Sequence, residues 1–592
     1  MKARRRMEGR AGRCAATLLA TALLAGTATA RPVAGDPEDL LVSRGETARR
    51  GGRLVALLRS EPKTLNPVTN TDIASRDVIG RTTACLVCID RETQLTTPGL
   101  ARSWTVSSDG RRLTVALRRG IRFSDGQPFD ADDVVFTFQA YQDERNNSPQ
   151  RDLLFVGGKP IAARKIDSHT VAFEMEEPYA VAERLFDGIA ILPRHLLLRA
   201  QQEGKLAQAW GLGAAPAEIA GLGPFRLKAY VPGDRLVLER NPYYWKADRK
   251  GERLPYLDEI TFLFVASDDA QVMRFQAGEA DVVSRPGAEN FALLAKDEEA
   301  RGYHVRDLGP GLEYSFLFFN LGDLRGRDLG AVAQRQGWWK DVGFRRAVSL
   351  AVDREGMVRL AFQGRATALG SHVTPGNRLW VNPALGAPRR SLESARELLR
   401  GSGFSWQGDG TLVDPAGRPV EFSIVTNASN PARVKMAAII QDDLRQLGMN
   451  VHVAPLEMRS VIDRVLQTRD YDACILSLGG GGDADPNVEM NVWLSSGPTH
   501  LWNPAQSQPA TPWEADIDRL MRRQLTTVDH QERKRLYDRV QELVAENLPL
   551  IPLVAPHVIV GAKRGLVNFR PAILDPCTLW NADELGWPPP VR

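Results

Sequence analysis

The residues best suited to hold a charged guest lie together in one stretch, Gly479-Gly-Gly-Gly-Asp483-Ala-Asp485-Pro486. Glycines leave backbone N–H groups uncovered and permit positive φ, while Asp483 and Asp485 add two carboxylates that can receive a cation through charge-assisted hydrogen bonds. The competing interpretation is a flexible surface loop with solvated carboxylates. Cys85 and Cys88 form a CxxC pair, but no second pair and no nearby His completes a zinc set, so a local disulfide or free thiols are expected. Ser60-Glu-Pro-Lys63 has the S-x-x-K spacing of penicillin-recognising enzymes, and Ser124-Asp125-Gly126 loosely echoes their second motif. That chemistry needs its serine at a helix start and a Lys-Thr-Gly element; Pro62 and Pro67 keep the segment extended, and Lys-Thr-Gly does not occur. No Gly-x-Ser-x-Gly elbow, His-Glu-x-x-His helix or Gly-x-x-x-x-Gly-Lys loop is present, and the eight His are scattered. The expectation is a protein without catalytic residues, metal ligands or cofactors, a secreted hydrolase being the remote alternative.

The elements around the glycine-rich loop say where it must sit. Val420 to Thr426 patterns as a strand; Asn430-Pro431 offers a cap and a first-turn proline for a helix reaching Leu447 and stopping at Gly448. Met449 to Val453 alternates as a second strand, Arg459 to Leu466 suggests another helix, and Tyr471 to Leu478 is an apolar strand. Strand, helix, strand, helix, strand implies a parallel sheet with right-handed crossovers. Ligands of open α/β sheets sit beyond the carboxyl ends of strands, where this loop begins. Elsewhere, Leu113 to Leu117 reads as a strand and Asp130 as the cap of a helix through Val134, Val135 and Phe138. Phe225 to Tyr230 and Arg235 to Glu239 form a hairpin about Pro232-Gly233-Asp234. Ser391 caps a helix closed by Gly401, Asp353 one ending near Gly364, and Glu514 to Asn547 holds two helices split at Thr526 to Asp529. Strands and helices mixed throughout make the fold class α/β.

The 592 residues, 43% hydrophobic and 25% charged, describe a globular chain of about three or four domains. The first thirty carry Lys2, Arg4, Arg5, Arg6, Arg10 and Arg13 against Glu8, so without them the formal charge falls from +4 to −1. No electrostatic case for nucleic acid remains. The apolar run Ala15 to Ala25 is about half the ~20 residues that span a bilayer, and Ala28-Thr29-Ala30 fits a signal-peptidase site. A signal peptide cleaved near Ala30 is expected, placing the mature chain outside the cytoplasm in an oxidising compartment. Leu24-Ala25-Gly26 resembles the start of a lipoprotein box, but Thr27 stands where the lipidated Cys must be. Residues 31–50 pattern as a flexible lead-in.

A set of motifs then adds up. Glu61-Pro-Lys-Thr-Leu-Asn-Pro67, Gly99-Leu-Ala-Arg-Ser-Trp104, Arg119-Gly-Ile-Arg-Phe123 through Ser-Asp-Gly-Gln-Pro-Phe129-Asp-Ala-Asp-Asp133, Gly223-Pro-Phe225 and Asn241-Pro-Tyr-Tyr-Trp245 occur in order, followed by Phe344-Arg-Arg-Ala-Val-Ser-Leu-Ala-Val-Asp353 and Leu548-Pro-Leu-Ile-Pro552. Together, from about residue 52 to about 570, they resemble the dipeptide and oligopeptide type (family 5) of bacterial extracellular solute-binding proteins.

The resemblance implies a two-lobed periplasmic-binding-protein fold with an extra inserted subdomain. One lobe would comprise 51–83, 191–313 and 549–592, with the subdomain at 84–190; the other would be 314–548, with hinges near 314 and 548. It implies a monomeric receptor that closes over a small-molecule solute, most readily a peptide, and passes it to an ABC transporter membrane permease. Carried over residue by residue, the ligand-lining segment falls on Thr71, Asp72 and Ile73. The family's Asp that receives a peptide amine falls on Gly482, with Asp483 beside it; its Trp falls on Gly479, and its cation for a peptide carboxylate on Leu476. Asp483 is therefore the first expected amine acceptor and Asp485 the second. These departures keep an oligosaccharide or a nickel complex open as the solute. Trp338, Trp339, Trp380 and Trp406 of the second lobe are candidates for stacking on it.

Overall fold

The computed structural model describes residues 38–589 except 326, 480, 481 and 505. The expected signal peptide, residues 31–37 of the lead-in, and two of the four loop glycines lie outside the described residues; the rest of the lead-in, expected to be flexible, is packed, Leu41–Val42 pairing in parallel with Lys246–Ala247 and Ala48 being buried.

Local chemistry builds the second lobe. Asn430 Oδ1 accepts from the Arg433 N–H at 3.0 Å and Pro431 fills the first position of the helix Pro431–Arg445. The chain turns at Gly448, where φ is 85° and a Cβ would lie 2.2 Å from the Gly410 carbonyl oxygen, so only glycine fits. The helix thus ends slightly before the expected Leu447. Strand Glu421–Asn427 pairs in parallel with Asn450–Leu456 on one side and, over Ile424 and Val425, with Ala473–Leu478 on the other. The second crossover starts as an α-helix, Met458–Ile462, and widens to π geometry over Asp463–Thr468. Tyr314–Phe319 and Leu550–Lys563 extend this sheet with antiparallel pairing.

Every residue of Tyr314–Phe319 is buried. Leu317 and Phe319 enter one core with Ile424, Ile475 and Leu553; Phe316 and Phe318 enter another with Val425, Cys474 and Tyr537. Period-two alternation sends successive side chains to opposite faces, so a sheet covered by helices on both faces needs an unbroken apolar strand. Each of the three phenylalanines is at most 1% exposed, contributing about 1.5–3 kcal/mol by burial.

The first lobe carries the sheet Phe225–Val231, Arg235–Arg240, Glu259–Phe264 and Arg53–Leu58, in that order. The inserted segment carries Ala101–Val106, Arg112–Leu117, Thr170–Glu174 and Ala162–Asp167, with the helix Ala131–Gln142 against them. That helix starts in a capping box: Asp130 Oδ1 accepts from the Asp132 N–H at 2.8 Å and Asp133 Oδ2 from the Asp130 N–H at 3.1 Å. Leu54 and Phe262 of the first sheet, Leu113 and Phe173 of the second, and Phe138 of the helix on it belong to one continuous core. The segment 84–190 is therefore welded to the first lobe.

One strand joins the two lobes. Leu550–Val554 pairs with Tyr314–Phe319, and the same strand continues over His557–Lys563 against Tyr303–Pro310. The expected boundary at 548/549 shifts accordingly. Leu550, Ile551, Leu553, Val554 and Ala555 pack in the second lobe's cores, whereas Ala562 packs in the first lobe's. The helix His530–Asn547 ends at Leu548, which reads as a break in the sequence, but the strand after it completes the second sheet before leaving near Pro556.

Candidate functional site

A cavity of about 960 Å³ lies between the lobes. Its walls come from the helix Ile73–Thr82, the turn holding Cys85 to Arg91, and the turn Arg184–Asp187. Residues 244–246, 372–374, 377, 479, 482–489, 492, 575–576 and 579–584 complete them. Cys85 and Cys88 form a disulfide in this wall, while Cys474 and Cys577 are buried free thiols in different cores. Just beyond the disulfide, Asp187 accepts from the Ile89 N–H at 2.7 Å and from Arg91 Nη2 at 2.8 Å, aiming Arg91 across the gap. Arg91 Nη1 donates to the Gly482 carbonyl at 2.6 Å.

The expected site residues separate here. Ile73, Gly482, Asp483 and Asp485 line the cavity; Thr71 and Asp72 are absent from its wall. Asp72 caps the helix instead, its Oδ1 accepting from the Ser75 N–H at 2.9 Å. Asp483, the first expected acceptor for a guest cation, already holds one from the protein: Arg184 Nε donates to it at 3.1 Å, and Arg184 Nη2 adds a shorter contact. Burial alone would lower the Arg184 pKa, but the Asp483 carboxylate raises it. Asp485 is 2% exposed and takes a bidentate pair from Arg533, at 3.0 and 2.9 Å. It also caps the short turn Pro486–Glu489 through the Asn487 N–H at 3.0 Å. Arg533 in turn lies 4.8 Å from the centre of the Trp380 ring.

Two of the departures from the family pattern, at Gly479 and Leu476, have structural causes. Gly479 has φ 84°, and a Cβ there would lie 2.4 Å from the Leu312 carbonyl oxygen, so this backbone excludes a tryptophan. Leu476 is buried in the core of the second lobe. Trp338, Trp339 and Trp380 are core residues, and Trp406 Nε1 donates to the Leu447 carbonyl at 2.7 Å; none of the four lines the cavity. The cavity aromatics are Tyr141, Tyr244, Trp245, Tyr537 and Trp580.

Arg184, Arg533 and Glu489 were not found in the sequence. Arg184 is 299 residues from Asp483 and Arg533 is 48 from Asp485, so no local spacing pairs them. Glu489 lines the cavity, and burial pushes its carboxyl up to about 7 against the opposing hydrogen bond from Trp493 Nε1 at 2.9 Å. Burial likewise pushes Asp77 up to about 6, opposed by the nearby Arg81. His372 is held neutral, its pKa lowered by burial to about 3. Three further hydrogen bonds join the subdomain to the second lobe: Gln94 Nε2 to the Gly376 carbonyl at 2.8 Å, Asn487 Nδ2 to the Tyr179 hydroxyl at 2.8 Å, and the Ala180 N–H to the Leu525 carbonyl at 2.9 Å. Among the described residues no group of His, Cys, Asp and Glu is arranged to hold a metal ion, and no helix is long and apolar enough to cross a membrane.

The family model described as bacterial extracellular solute-binding proteins, family 5 Middle, matches residues 96–500. A probable ABC transporter-binding protein of Deinococcus radiodurans is 28% identical, over 91% of this chain and 93% of its own. A periplasmic alpha-galactoside-binding protein of Rhizobium meliloti is 27% identical, over 90% of this chain and 77% of its own. The oligopeptide-binding protein AppA of Bacillus subtilis is 24% identical, over 88% and 89% of the two chains. The structure of AppA in complex with a nonapeptide superposes with a TM-score of 0.68 at 21% identity, covering 92% of this chain and 100% of that one.

Proposed function

The chain belongs to family 5 of the bacterial extracellular solute-binding proteins, and from that premise we propose that it is the exported receptor of an ABC importer with a peptide as its solute. The lobes close over the peptide and release it, unchanged, to a membrane permease. The observation that carries this reading is the cavity of about 960 Å³ with walls from both lobes and the subdomain, at the upper end of the ~300–1,000 Å³ of small-molecule sites. Its location makes closure and binding one event. A solute touching both lobes favours the closed arrangement by its differential affinity for that state.

The hinges are the crossings near residue 314 and at Pro556. The contacts from Arg91, Gln94, Tyr179, Ala180 and Arg184 to the second lobe form on closure. Each neutral hydrogen bond contributes about 1 kcal/mol net and each bond from the two arginines about 1.5–3, a bias of the same order as the binding free energy of a micromolar solute. Ile73 and the Gly482 backbone contact the solute, while Asp483 and Asp485 hold the loop in shape. Cleavage of the basic, apolar N-terminal segment near Ala30 delivers the chain outside the cytoplasm.

A pool of short peptides raises the melting temperature without being consumed, by about 2.7 kcal/mol of added stability at a hundredfold excess over Kd, and small-angle scattering shows contraction. Peptide turnover, or no stabilisation by any peptide, rejects the reading. A second reading, an oligosaccharide solute, is supported by the alpha-galactoside-binding relative and by Trp245 and Trp580 in the wall. Stabilisation by an α-galactoside trisaccharide and by no peptide selects it.

A further inference from the structure

We infer that the Cys85–Cys88 disulfide is a redox site: a dithiol reaching it from the cavity breaks the bond, and the break releases contacts by which the inserted subdomain holds the second lobe. The inference rests on the closure of the two lobes and is independent of what the solute is.

The bond closes the base of a hairpin. Val87–Ile89 pairs antiparallel with Thr96–Pro98, Cys88 lying opposite Thr97. The Cys85 carbonyl accepts from the Leu100 N–H at 3.1 Å and the Leu86 carbonyl from the Gly99 N–H at 3.0 Å. The tip of the hairpin reaches the second lobe: Arg91 Nη1 donates to the Gly482 carbonyl and Gln94 Nε2 to the Gly376 carbonyl. The Gln94 carbonyl in turn accepts at 3.2 Å from Arg184, the residue that holds Asp483. A two-stranded hairpin with so few residues a side is marginal by itself. Asp187 steadies it from one flank, and the disulfide is the covalent restraint at its base.

Both cysteines are half-buried and line the cavity, so a small reductant can reach the bond. Cys474 and Cys577 are buried in other cores, so the electrons must come from outside the chain. A thiolate of the dithiol attacks one sulfur, and the Cys85–Cys88 bond breaks as a mixed disulfide forms. The second thiol of the reagent then displaces the protein. Two electrons and two protons pass to Cys85 and Cys88, and the reagent leaves as its own disulfide. The freed sulfurs must move out of bonding distance. Cys88 cannot retreat toward Gly99, where even a Cβ would lie 2.8 Å from its Sγ and 2.5 Å from the Cys85 carbonyl oxygen, so the movement falls on the turn and on the hairpin it closes.

The test takes folded, solute-free wild type with and without dithiothreitol, and a Cys85→Ser/Cys88→Ser double variant. Dithiothreitol reduces the bond without unfolding the protein, as mass spectrometry after alkylation and circular dichroism show. Amide exchange across residues 87–98 then rises at least about tenfold, the size of one charge-assisted hydrogen bond, while exchange in the strand Glu421–Asn427 stays as it was. Small-angle scattering shows expansion, and reoxidation reverses both changes. The double variant matches the reduced protein and does not respond to dithiothreitol. A bond that yields only in denaturant overturns the inference, as does reduction that leaves exchange and scattering unchanged. Reduction that unfolds the whole chain also overturns it, since the bond would then serve the fold and not the closure. Should the double variant fail to fold, the response of wild type to dithiothreitol and reoxidation decides. Stabilisation by the peptide pool is measured separately, and its absence rejects peptides as the solute while leaving this inference standing.

Discussion

Asp483 and Glu489 stand on one loop and face one cavity, yet they meet opposite surroundings. Asp483 is held by Arg184 from the inserted subdomain, so its charge is neutralised by the protein and its work is to join two lobes. Glu489 has a neutral indole donor and, among the described residues, no ion pair, so burial keeps its carboxyl partly protonated. A carboxylate in a closing cleft must find a cation or a proton, and these two differ in which they find. Asp485 stands at the far end of the same scale, 2% exposed and doubly bonded to Arg533.

The contrast can be broken experimentally at each of these places. The largest effect belongs to Arg533→Ala, which strands Asp485 as a buried charge and costs about 3–5 kcal/mol of folding stability, measured by urea denaturation. Adding Asp485→Asn recovers much of that loss; no recovery would mean that Arg533 acts through Trp380 packing alone. Next is Asp483→Asn, which loosens the closed arrangement. Affinity falls about tenfold for charged and uncharged solutes alike, as one charge-assisted bond is lost, and the solute-free protein expands in scattering. A loss confined to cationic solutes would return Asp483 to the role first expected of it.

A third effect is pH dependence. Glu489 lies beside Trp493 and Tyr314, and Tyr537 is close enough to feel both Glu489 and Asp485. Its folded pKa, about 7, lies above its ordinary 4.5, so the folded state binds a proton that the unfolded state has released. Stability from this group is therefore greatest below about pH 4.5, declines as pH rises to about 7 and then levels off. The slope vanishes in Glu489→Gln, as calorimetric unfolding at a series of pH values would show. The smallest effect is that of Trp406→Phe, which loses the bond to Leu447 and about 1 kcal/mol of stability but leaves solute affinity unchanged. A change in affinity would place Trp406 at the solute.

Most of the second lobe was legible because its instructions are local. Asn430 and Pro431 start a helix, Gly448 ends the turn after it, and alternation at 450–456 marks a strand whichever lobe surrounds it. The fused core of the first lobe and subdomain was not legible, since Leu54 and Phe138 carry no mark of belonging together. The strand Leu550–Lys563 misled for a related reason: a helix end at Leu548 looks like a boundary, and only pairing with Tyr314–Phe319 shows that the second sheet continues beyond it. In the site, the loop and its position at a strand's carboxyl end were visible. Its two obvious carboxylates were assigned to a guest because the arginines that hold them lie far away in the chain.

The sequence by itself determined the periodicity, the caps and turns, the α/β class and the family motifs, because each depends on residues within a few positions of one another. Tertiary structure decided which charges in the cavity are already answered. Ion pairing falls off within a few ångströms in space and takes no account of separation along the chain, so Arg184 could satisfy Asp483 across 299 residues while Glu489, on the same loop, has no ion pair among the described residues.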